Sequence, residues 1–196
     1  MSLEEWLALD EDDSGELVDG FYEESEMPGL LHETTVVFLV VMFHTWGQPR
    51  GARVVGSGLK YVLRPRHGRM PDVSVFLPDA PLPAGEGGVY APPSIAIEIV
   101  SPTPRDQRRD RVDKMSEYAA FGVPWYWLVD PALRSIEVFE LIEGGRYVRA
   151  LAATEGQVEV PACEGLVLDV DALWRELDAL TPRPEASDKP AEPDSE

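Results

Sequence analysis

The chain has 196 residues, enough for one domain of ordinary size with its own hydrophobic core. Its hydrophobic content of 44% and charged content of 27% lie in the globular range, which excludes a chain that is disordered throughout. Acidic residues outnumber Lys and Arg by 36 to 17, and the resulting net charge of -19 excludes a general nucleic-acid coat protein, which needs clustered basic residues.

The negative charge is concentrated at the two ends. The first 26 residues carry eleven acidic side chains and no Lys or Arg, and residues 181–196 carry five acidic and two basic ones. Because residues 181–196 contain too few apolar side chains to offset the entropy of ordering, we expect a disordered acidic tail there, after a single domain over residues 1–180. The middle of the chain contains a basic segment that could meet a phosphate locally, made of Arg105, Arg108, Arg109, Arg111 and Lys114.

Cysteine content and hydropathy bear on the compartment. The one cysteine, Cys163, excludes an internal disulfide and cannot form a zinc site alone. The acidic start lacks the basic region of a secretory signal, and the longest apolar run, residues 36–43, is too short to span a bilayer. We therefore expect a soluble, cytoplasmic protein without membrane contact.

In the first half of the chain, turn signals separate the predicted elements. Residues 15–24 form a hairpin around Asp19-Gly20, and the dense apolar residues 30–46 form a buried helix, although their β-branched run keeps a strand possible. Residues 52–63 and 71–77 are predicted strands joined by a polar turn around His67-Gly68. The Pro- and Gly-rich residues 78–93 form a long loop.

The second half predicts an α/β core. Residues 94–100 form a buried strand, and a helix follows from the N-cap Thr103 to Gly122, with an apolar stripe of Val112, Met115 and Ala119. Residues 125–129 form the next buried strand, which should run parallel to the first. A hairpin over 135–151 and a helix over 170–180 complete the predicted domain.

Two carboxylates and a lysine in this region are the residue types that phosphodiester hydrolysis needs. Glu98 is the one charge in its strand, and strand alternation turns it away from Ile97 and Ile99, where a carboxylate is costly unless a cation satisfies it. Asp72 begins the preceding strand and converges on the same cation if the two strands are neighbours. Two carboxylates with waters suit Mg²⁺, and Lys114 on the following helix could orient water or neutralise developing charge.

The motifs around these residues resemble a known family. Pro71-Asp72, then Glu98 within IAIEIVSP, then DRVDKMSEYAAFGVPWYWLVDP, look like the Uma2 family of restriction-endonuclease-like proteins, members of the PD-(D/E)XK nuclease superfamily. The likeness covers roughly residues 15–180 and includes ELVDG at 16–20, His32, and GLVLD at 165–169. It implies an α/β fold, a mixed central sheet flanked by helices, with a Mg²⁺-dependent (or Mn²⁺-dependent) hydrolytic site and a DNA substrate.

The resemblance also implies roles for individual residues. Asp72, Glu98 and Lys114 would be catalytic, with Asp72 and Glu98 as metal ligands and Glu16 as an auxiliary acid at the metal. The sequence departs from the superfamily pattern at Val100, where the lysine usually stands, so that Lys114 would supply the lysine from the helix. Of the basic segment, the three arginines expected to bind substrate are Arg105, Arg108 and Arg109.

Each of these residues also has a structural interpretation. Glu98 could form a buried salt bridge to an arginine such as Arg109, and Asp72 could cap the turn after Pro71. Lys114 could pair with Asp110 on a solvated helix face. Glu16 could be a solvated charge in an acidic stretch, and the scattered residues His32, His44 and His67 lack metal-motif spacing, which favours core or surface roles.

The sequence thus predicts a metal-dependent endonuclease acting on DNA. A binding or scaffold protein that keeps the nuclease fold without catalysis is the alternative, favoured by the acidic charge. An enzyme acting on another phosphate ester is a third interpretation. A homodimer would suit the cutting of two strands, by analogy with other two-fold symmetric proteins.

Overall fold

The computed structural model describes residues 1–10, 13, 15–24 and 27–180, and the predicted acidic tail, residues 181–196, lies outside these described residues. The α-helices are α1 (Leu3–Leu7), α2 (Leu30–Gly47), α3 (Pro104–Arg108), α4 (Met115–Phe121) and α5 (Val170–Asp178). A π-helical segment, Arg109–Lys114, joins α3 to α4. The strands of the first half are β1 (Gly15–Val18), β2 (Phe21–Glu24), β3 (Arg53–Val55), β4 (Tyr61–Arg64), β5 (His67–Arg69) and β6 (Val73–Phe76). The later strands are β7 (Ile95–Ile99), β8 (Trp125–Asp130), β9 (Ser135–Ile142), β10 (Arg146–Ala153), β11 (Gln157–Glu159) and β12 (Val167–Asp169).

The central sheet has six strands in the order β10-β9-β8-β7-β6-β3. Its β7-β8 pair is parallel and its other pairs are antiparallel, as the strand-helix-strand order between residues 94 and 129 predicts. A second sheet has the order β2-β1-β5-β4, and β11 pairs with β12. The predicted α/β fold with a mixed central sheet flanked by helices is confirmed.

The two faces of the central sheet differ in character. On one face Ile95, Ile97 and Ile99 pack in a large apolar core with side chains of α2 and α5. On the other face Ala96 and Val100 belong to a smaller apolar cluster that includes Tyr118 of α4. Strand alternation places Glu98 on this second face, where it is buried with the helix between β7 and β8 above it.

The helical stretch between β7 and β8 begins and ends where the sequence predicts. Thr103 caps its N-terminus, Pro104 is its first helical residue, and Gly122 ends it in the left-handed region at φ 90°. Its predicted apolar stripe is wrong at Val112, which is exposed. The buried side chains of this stretch follow a spacing of four residues and are mainly polar, namely Asp106, Asp110, Lys114 and Tyr118. The reason is that this face of the helix lies over Glu98 rather than over an apolar surface.

The predicted turn around His67-Gly68 is also wrong. These residues belong to the buried strand β5, which pairs with β4 across a turn at Pro65-Arg66. Arg66 supplies the positive φ of 61° that the tight connection requires. A glycine is needed at position 68 for close packing instead, because the indole of Trp6 lies directly over it.

The short helix α1 was not predicted from the sequence. Ser2 and Glu5 form a capping box at its N-terminus. Trp6 is fully buried among Leu17 and Val62, and its Nε1 donates a hydrogen bond to the carbonyl of Gly15 at 2.8 Å. This indole therefore fastens the start of the chain to the second sheet.

Helix α2 with the turn after it, Leu30–Arg50, is long and apolar enough to cross a membrane by length and composition. The uninterrupted apolar run within it, residues 36–43, is shorter and did not predict such a segment. The finding is weak support for a membrane span, since the core helix of a soluble protein passes the same test. Here α2 contributes Val36, Leu39 and Phe43 to the large apolar core.

We expect Gly68→Ala to destabilise the protein. A Cβ at position 68 would lie 2.2 Å from a ring carbon of Trp6, so the indole or strand β5 must move. Overpacking of this kind costs roughly 1–3 kcal/mol, which urea denaturation would measure as a lower free energy of unfolding. The matched control is Gly85→Ala, where nothing lies within 4 Å of the added methyl group. Equal stability of the two variants would contradict the packing role of Gly68.

Candidate functional site

Pairing between β6 and β7 brings two of the predicted site residues together. The antiparallel register joins Val73 to Ile97, so Asp72, just before β6, lies next to Glu98 across the strand pair. The Oδ2 atom of Asp72 accepts a hydrogen bond from the backbone N–H of Ile99 at 2.7 Å. Asp72 is thereby held at the end of β7 where Glu98 stands.

Lys114 lies at the centre of a group of carboxylates. Its Nζ is 2.8 Å from Oε2 of Glu98, 3.1 Å from Oε1 of Glu16 and 3.7 Å from Oδ1 of Asp110. The lysine is only 4% exposed and Glu98 only 2%. An ammonium group so deeply buried needs such partners, because an unpaired charge in the interior is strongly unfavourable.

The other oxygen of Glu98 is also bound. The hydroxyl of Tyr118, one helical turn after Lys114, donates a hydrogen bond to Oε1 of Glu98 at 2.9 Å. The neighbouring hydroxyl of Tyr126 donates to the backbone carbonyl of Asp110 at 2.8 Å, within the π-helical segment. These bonds fix the helix against the sheet, and π-helical turns of this kind occur frequently at functional sites.

Glu16 reaches the site from the second sheet. Strand β1 pairs with β5, and Oε2 of Glu16 accepts a hydrogen bond from Arg69 at 2.7 Å while its Oε1 accepts one from the N–H of Met70 at 3.0 Å. Arg69 also donates two hydrogen bonds to Glu117 of α4. His67 Nε2 lies 3.0 Å from the same Glu117 carboxylate. Buried ion pairs thus connect the second sheet to the helix.

Two of the acids that contact Lys114, Glu98 and Glu16, have pKa values shifted in opposite directions because their other neighbours differ. Burial raises the pKa of Glu98, and the negative charges of Asp72 and Asp110 raise it further against the opposing effect of Lys114. Burial acts on Glu16 in the same direction, but the ammonium of Lys114 and the guanidinium of Arg69 outweigh it and lower the pKa of Glu16 to about 2. Glu98 is therefore the acid with the greater need for a further cation.

The exposed side of the site is formed by Asp72 and His32. Each side chain is 19% exposed, and Nε2 of His32 lies 3.3 Å from Oδ1 of Asp72. His32 comes from the first turn of α2, and burial opposes its protonation while the interaction with Asp72 raises its pKa overall. Solvent meets the cluster here rather than at Glu98 or Lys114.

The predicted substrate-binding arginines separate into two groups. Arg105 is 74% exposed and only distantly paired, its guanidinium lying 4.0 Å from Glu23, and Arg108 is exposed as well. Arg109 instead turns inward, 2.9 Å from Asp106 and 3.2 Å from Asp110. Its charge is taken up by these buried acids.

The geometry bears on the structural alternatives for Glu98, Lys114 and Asp110. Glu98 does form a buried ion pair, but with Lys114 and not with Arg109. Lys114 and Asp110 lie in the interior and not on a solvated helix face. His32, Arg69 and Tyr118 were not among the predicted site residues. The repeat of polar residues every four positions from Asp106 to Tyr118 is the sequence signal that could have indicated Tyr118. His32 was noted only as part of the family resemblance, and Arg69 carries no local signal.

The donor atoms fit a hard divalent cation. Asp72 and Glu98 offer carboxylate oxygens, the ligands that Mg²⁺ prefers, and Mg²⁺ usually takes its other ligands from water and substrate. Within residues 1–10, 13, 15–24 and 27–180, no three His, Cys, Asp or Glu side chains converge in metal-ligand geometry. The protein ligands would therefore be few, and Lys114 already contacts one of them.

Comparison with known proteins agrees with this fold. A crystal structure of "a putative nuclease belonging to DUF820" from Anabaena variabilis ATCC 29413 superposes with a TM-score of 0.72 at 25% identity, covering 90% of this chain and 99% of that chain. The chain therefore has the fold of a nuclease-like α/β protein. Residues 3–171 match the family model of Uma2, described as "Putative restriction endonuclease", and the chain belongs to the Uma2 family. No curated protein matches the sequence.

We expect the ion pairs behind the site to make stability depend on pH through Glu117. Burial opposes ionisation, but the adjacent His67 and the hydrogen bonds from Arg69 lower the pKa of Glu117 from 4.5 to about 2. A carboxylate whose pKa is lowered by folding stabilises the folded state above its unfolded pKa, and that contribution disappears as the pH falls toward the folded pKa.

The difference in unfolding free energy between wild type and Glu117→Gln should therefore be largest near neutral pH. It should shrink as the pH falls from about 5 toward about 2, as followed by urea denaturation. Glu86→Gln, on the loop after β6, removes an exposed carboxylate and is the control. A difference that stays constant across this range would show that Glu117 is not stabilised by its cationic neighbours.

Proposed function

We propose that this protein is a divalent-metal-dependent endonuclease that hydrolyses DNA phosphodiester bonds, with Asp72, Glu98 and Lys114 as its catalytic residues. The observation that carries the proposal is the meeting of Asp72 and Glu98 with a buried lysine on adjacent elements of a nuclease-like fold. Membership of the Uma2 family supports the same class of reaction.

Asp72 and Glu98 would hold the metal, with Glu16 as an auxiliary acid. The two carboxylates lie at the same end of the β6-β7 pair. Oδ1 of Asp72 faces His32 on the partly exposed side of the cluster. Bound there, Mg²⁺ or Mn²⁺ would activate water and stabilise charge on the phosphate. Tyr118 and the N–H of Ile99 position the two carboxylates through the hydrogen bonds described above.

Lys114 would neutralise the negative charge that develops as the phosphodiester bond breaks. Burial and three carboxylate neighbours keep its amine protonated, because they raise its pKa above the ordinary value despite the cost of desolvation. A protonated lysine can stabilise an anionic transition state but cannot act as a general base. We therefore assign it an electrostatic role.

Substrate would approach along Asp72 and His32, the partly exposed side of the cluster. Arg105 and Arg108 lie on α3 and are exposed, so they can meet the phosphates of a DNA backbone without giving up a buried ion pair. Arg109 is less suited to this role because it neutralises Asp106 and Asp110. Its contribution would be to keep the π-helical segment in place.

The first test is DNA cleavage. We expect the wild type to nick plasmid DNA when Mg²⁺ or Mn²⁺ is present, and we expect Asp72→Asn and Glu98→Gln each to lower the rate by about a hundredfold or more, since each weakens the metal site. Lys114→Met should lower the rate as well, because it removes the charge that stabilises the transition state. Agarose electrophoresis of supercoiled plasmid measures all four proteins.

The control for the cleavage test is Glu86→Gln, which removes an exposed loop carboxylate outside the cluster around Lys114. Cleavage that persists in Glu98→Gln would point to a contaminating nuclease. If the folded wild type neither cleaves DNA nor binds Mn²⁺ in calorimetry, the chain keeps the fold as a binding or scaffold protein, and the proposed activity is wrong.

The second test addresses DNA binding. Arg105→Ala with Arg108→Ala should weaken binding to duplex DNA, and the slope of log affinity against log salt should fall by about one for each phosphate contact removed. Fluorescence anisotropy in Ca²⁺ or without metal avoids cleavage during the titration. Arg175→Ala, an exposed arginine on α5 at the other face of the central sheet, is the matched control. An unchanged slope in the double variant would exclude α3 from the DNA-binding surface.

A further inference from the structure

Lys114 occupies the interior of its site much as a metal ion would. Its Nζ donates a hydrogen bond to Oε2 of Glu98 and lies 3.1 Å from an oxygen of Glu16 and 3.7 Å from one of Asp110. These three oxygens come from β7, β1 and the π-helical segment. One of the three, Oε2 of Glu98, belongs to a carboxylate that we assign to the metal. The ammonium and a divalent cation therefore share a ligand.

We infer that Lys114 is an internal counter-ion that competes with the divalent metal for Glu98 and thereby weakens metal binding at this site. The inference rests on the proposed metal-dependent function and adds a control of metal affinity to it. Lys114 would thus have opposite effects on two steps, opposing the binding of metal and assisting the hydrolysis that follows.

The shared carboxylate makes the competition direct. Oε1 of Glu98 is bound by the Tyr118 hydroxyl and Oε2 by Lys114, so a metal meets an oxygen that already lies 2.8 Å from a positive charge. Two cations close together in a buried place repel each other strongly, because the interior screens charge poorly. The free energy of that repulsion subtracts from metal binding.

The neighbours of Lys114 allow it to give way without becoming unpaired. Glu16 of the second sheet lies 3.1 Å from the ammonium, and Asp110 of the π-helical segment lies 3.7 Å from it. If the metal draws Glu98 away, the ammonium keeps two carboxylates, and Glu98 keeps the hydroxyl of Tyr118. The exchange leaves no buried charge without a partner, which is the condition for it to occur at modest cost.

Without metal, the same ion pairs hold the cluster together. Glu98, Glu16 and Asp110 would repel one another if the ammonium were absent, so Lys114 stabilises the metal-free protein. The site then binds metal only when the free concentration is high enough to displace this resident cation. Metal occupancy is then set by the relative affinity of Lys114 and the divalent metal for the Glu98 carboxylate.

The test is Mn²⁺ affinity measured by electron paramagnetic resonance of free Mn²⁺ or by isothermal titration calorimetry, with no DNA present. Lys114→Met should bind Mn²⁺ about tenfold more tightly than the wild type, because a buried positive charge beside the ligand has been removed. Asp110→Asn should bind severalfold more weakly, because Lys114 loses an alternative partner and holds Glu98 more firmly. Arg175→Met makes the same change in net charge as Lys114→Met at an exposed position on α5 and should leave the affinity unchanged.

Folding of every variant is checked by circular dichroism, and the rise in melting temperature on adding Mn²⁺ gives a second measure of binding. Should Lys114→Met not fold, Lys114→Gln and Asp110→Asn carry the test. If the wild type binds Mn²⁺ and the Lys114 variants bind it equally or more weakly, the inference is wrong and the proposed metal site remains. The same conclusion follows if Asp110→Asn binds Mn²⁺ with unchanged affinity. Absence of Mn²⁺ binding in both wild type and the Lys114 variants overturns the metal site and the inference together.

Discussion

The ion pairs of the Lys114 ammonium are the interactions on which the packing of the two sheets and the helix depends. The ammonium joins the central sheet through Glu98, the second sheet through Glu16 and its own helical segment through Asp110. A buried lysine without these acids, or these acids without the lysine, would carry a large desolvation cost. Each element therefore has its position fixed by the same cation, and the site cannot be separated from the packing of the domain.

A second layer of ion pairs supports this centre from behind. Arg69 bridges Glu16 and Glu117, and Glu117 also lies beside His67, so the acid that faces Lys114 is held by residues of both β5 and α4. Removing one member of such a network leaves another charged group unpaired in the interior. Gly68 precedes Arg69 in β5, and the indole of Trp6 packs against it, so both residues help to position the strand that carries Arg69.

How far the sequence predicts the molecule depends on whether a signal is local. The caps at Thr103 and Gly122, the Asp19-Gly20 turn and the alternation around Glu98 are properties of neighbouring residues, and these elements were predicted correctly. The pairing of His32 with Asp72, or of Arg69 with Glu16, depends on tertiary placement across distant elements. The helix stripe was predicted wrongly because apolar periodicity assumes an apolar surface beneath it. Here that surface carries a carboxylate.

The overall acidity of the chain does not oppose an anionic substrate, because the residues that would meet a phosphate differ from those that carry the net charge. Much of the negative charge lies in the first 26 residues and in residues 181–196, whereas α3 presents Arg105 and Arg108. At physiological salt, charges more than about 8 Å apart through solvent are largely screened, so the local charge near the site would govern contact with the proposed DNA substrate. Inside the site screening is weak, and there the inferred competition between Lys114 and a metal ion for Glu98 would set the fraction of the protein that carries metal.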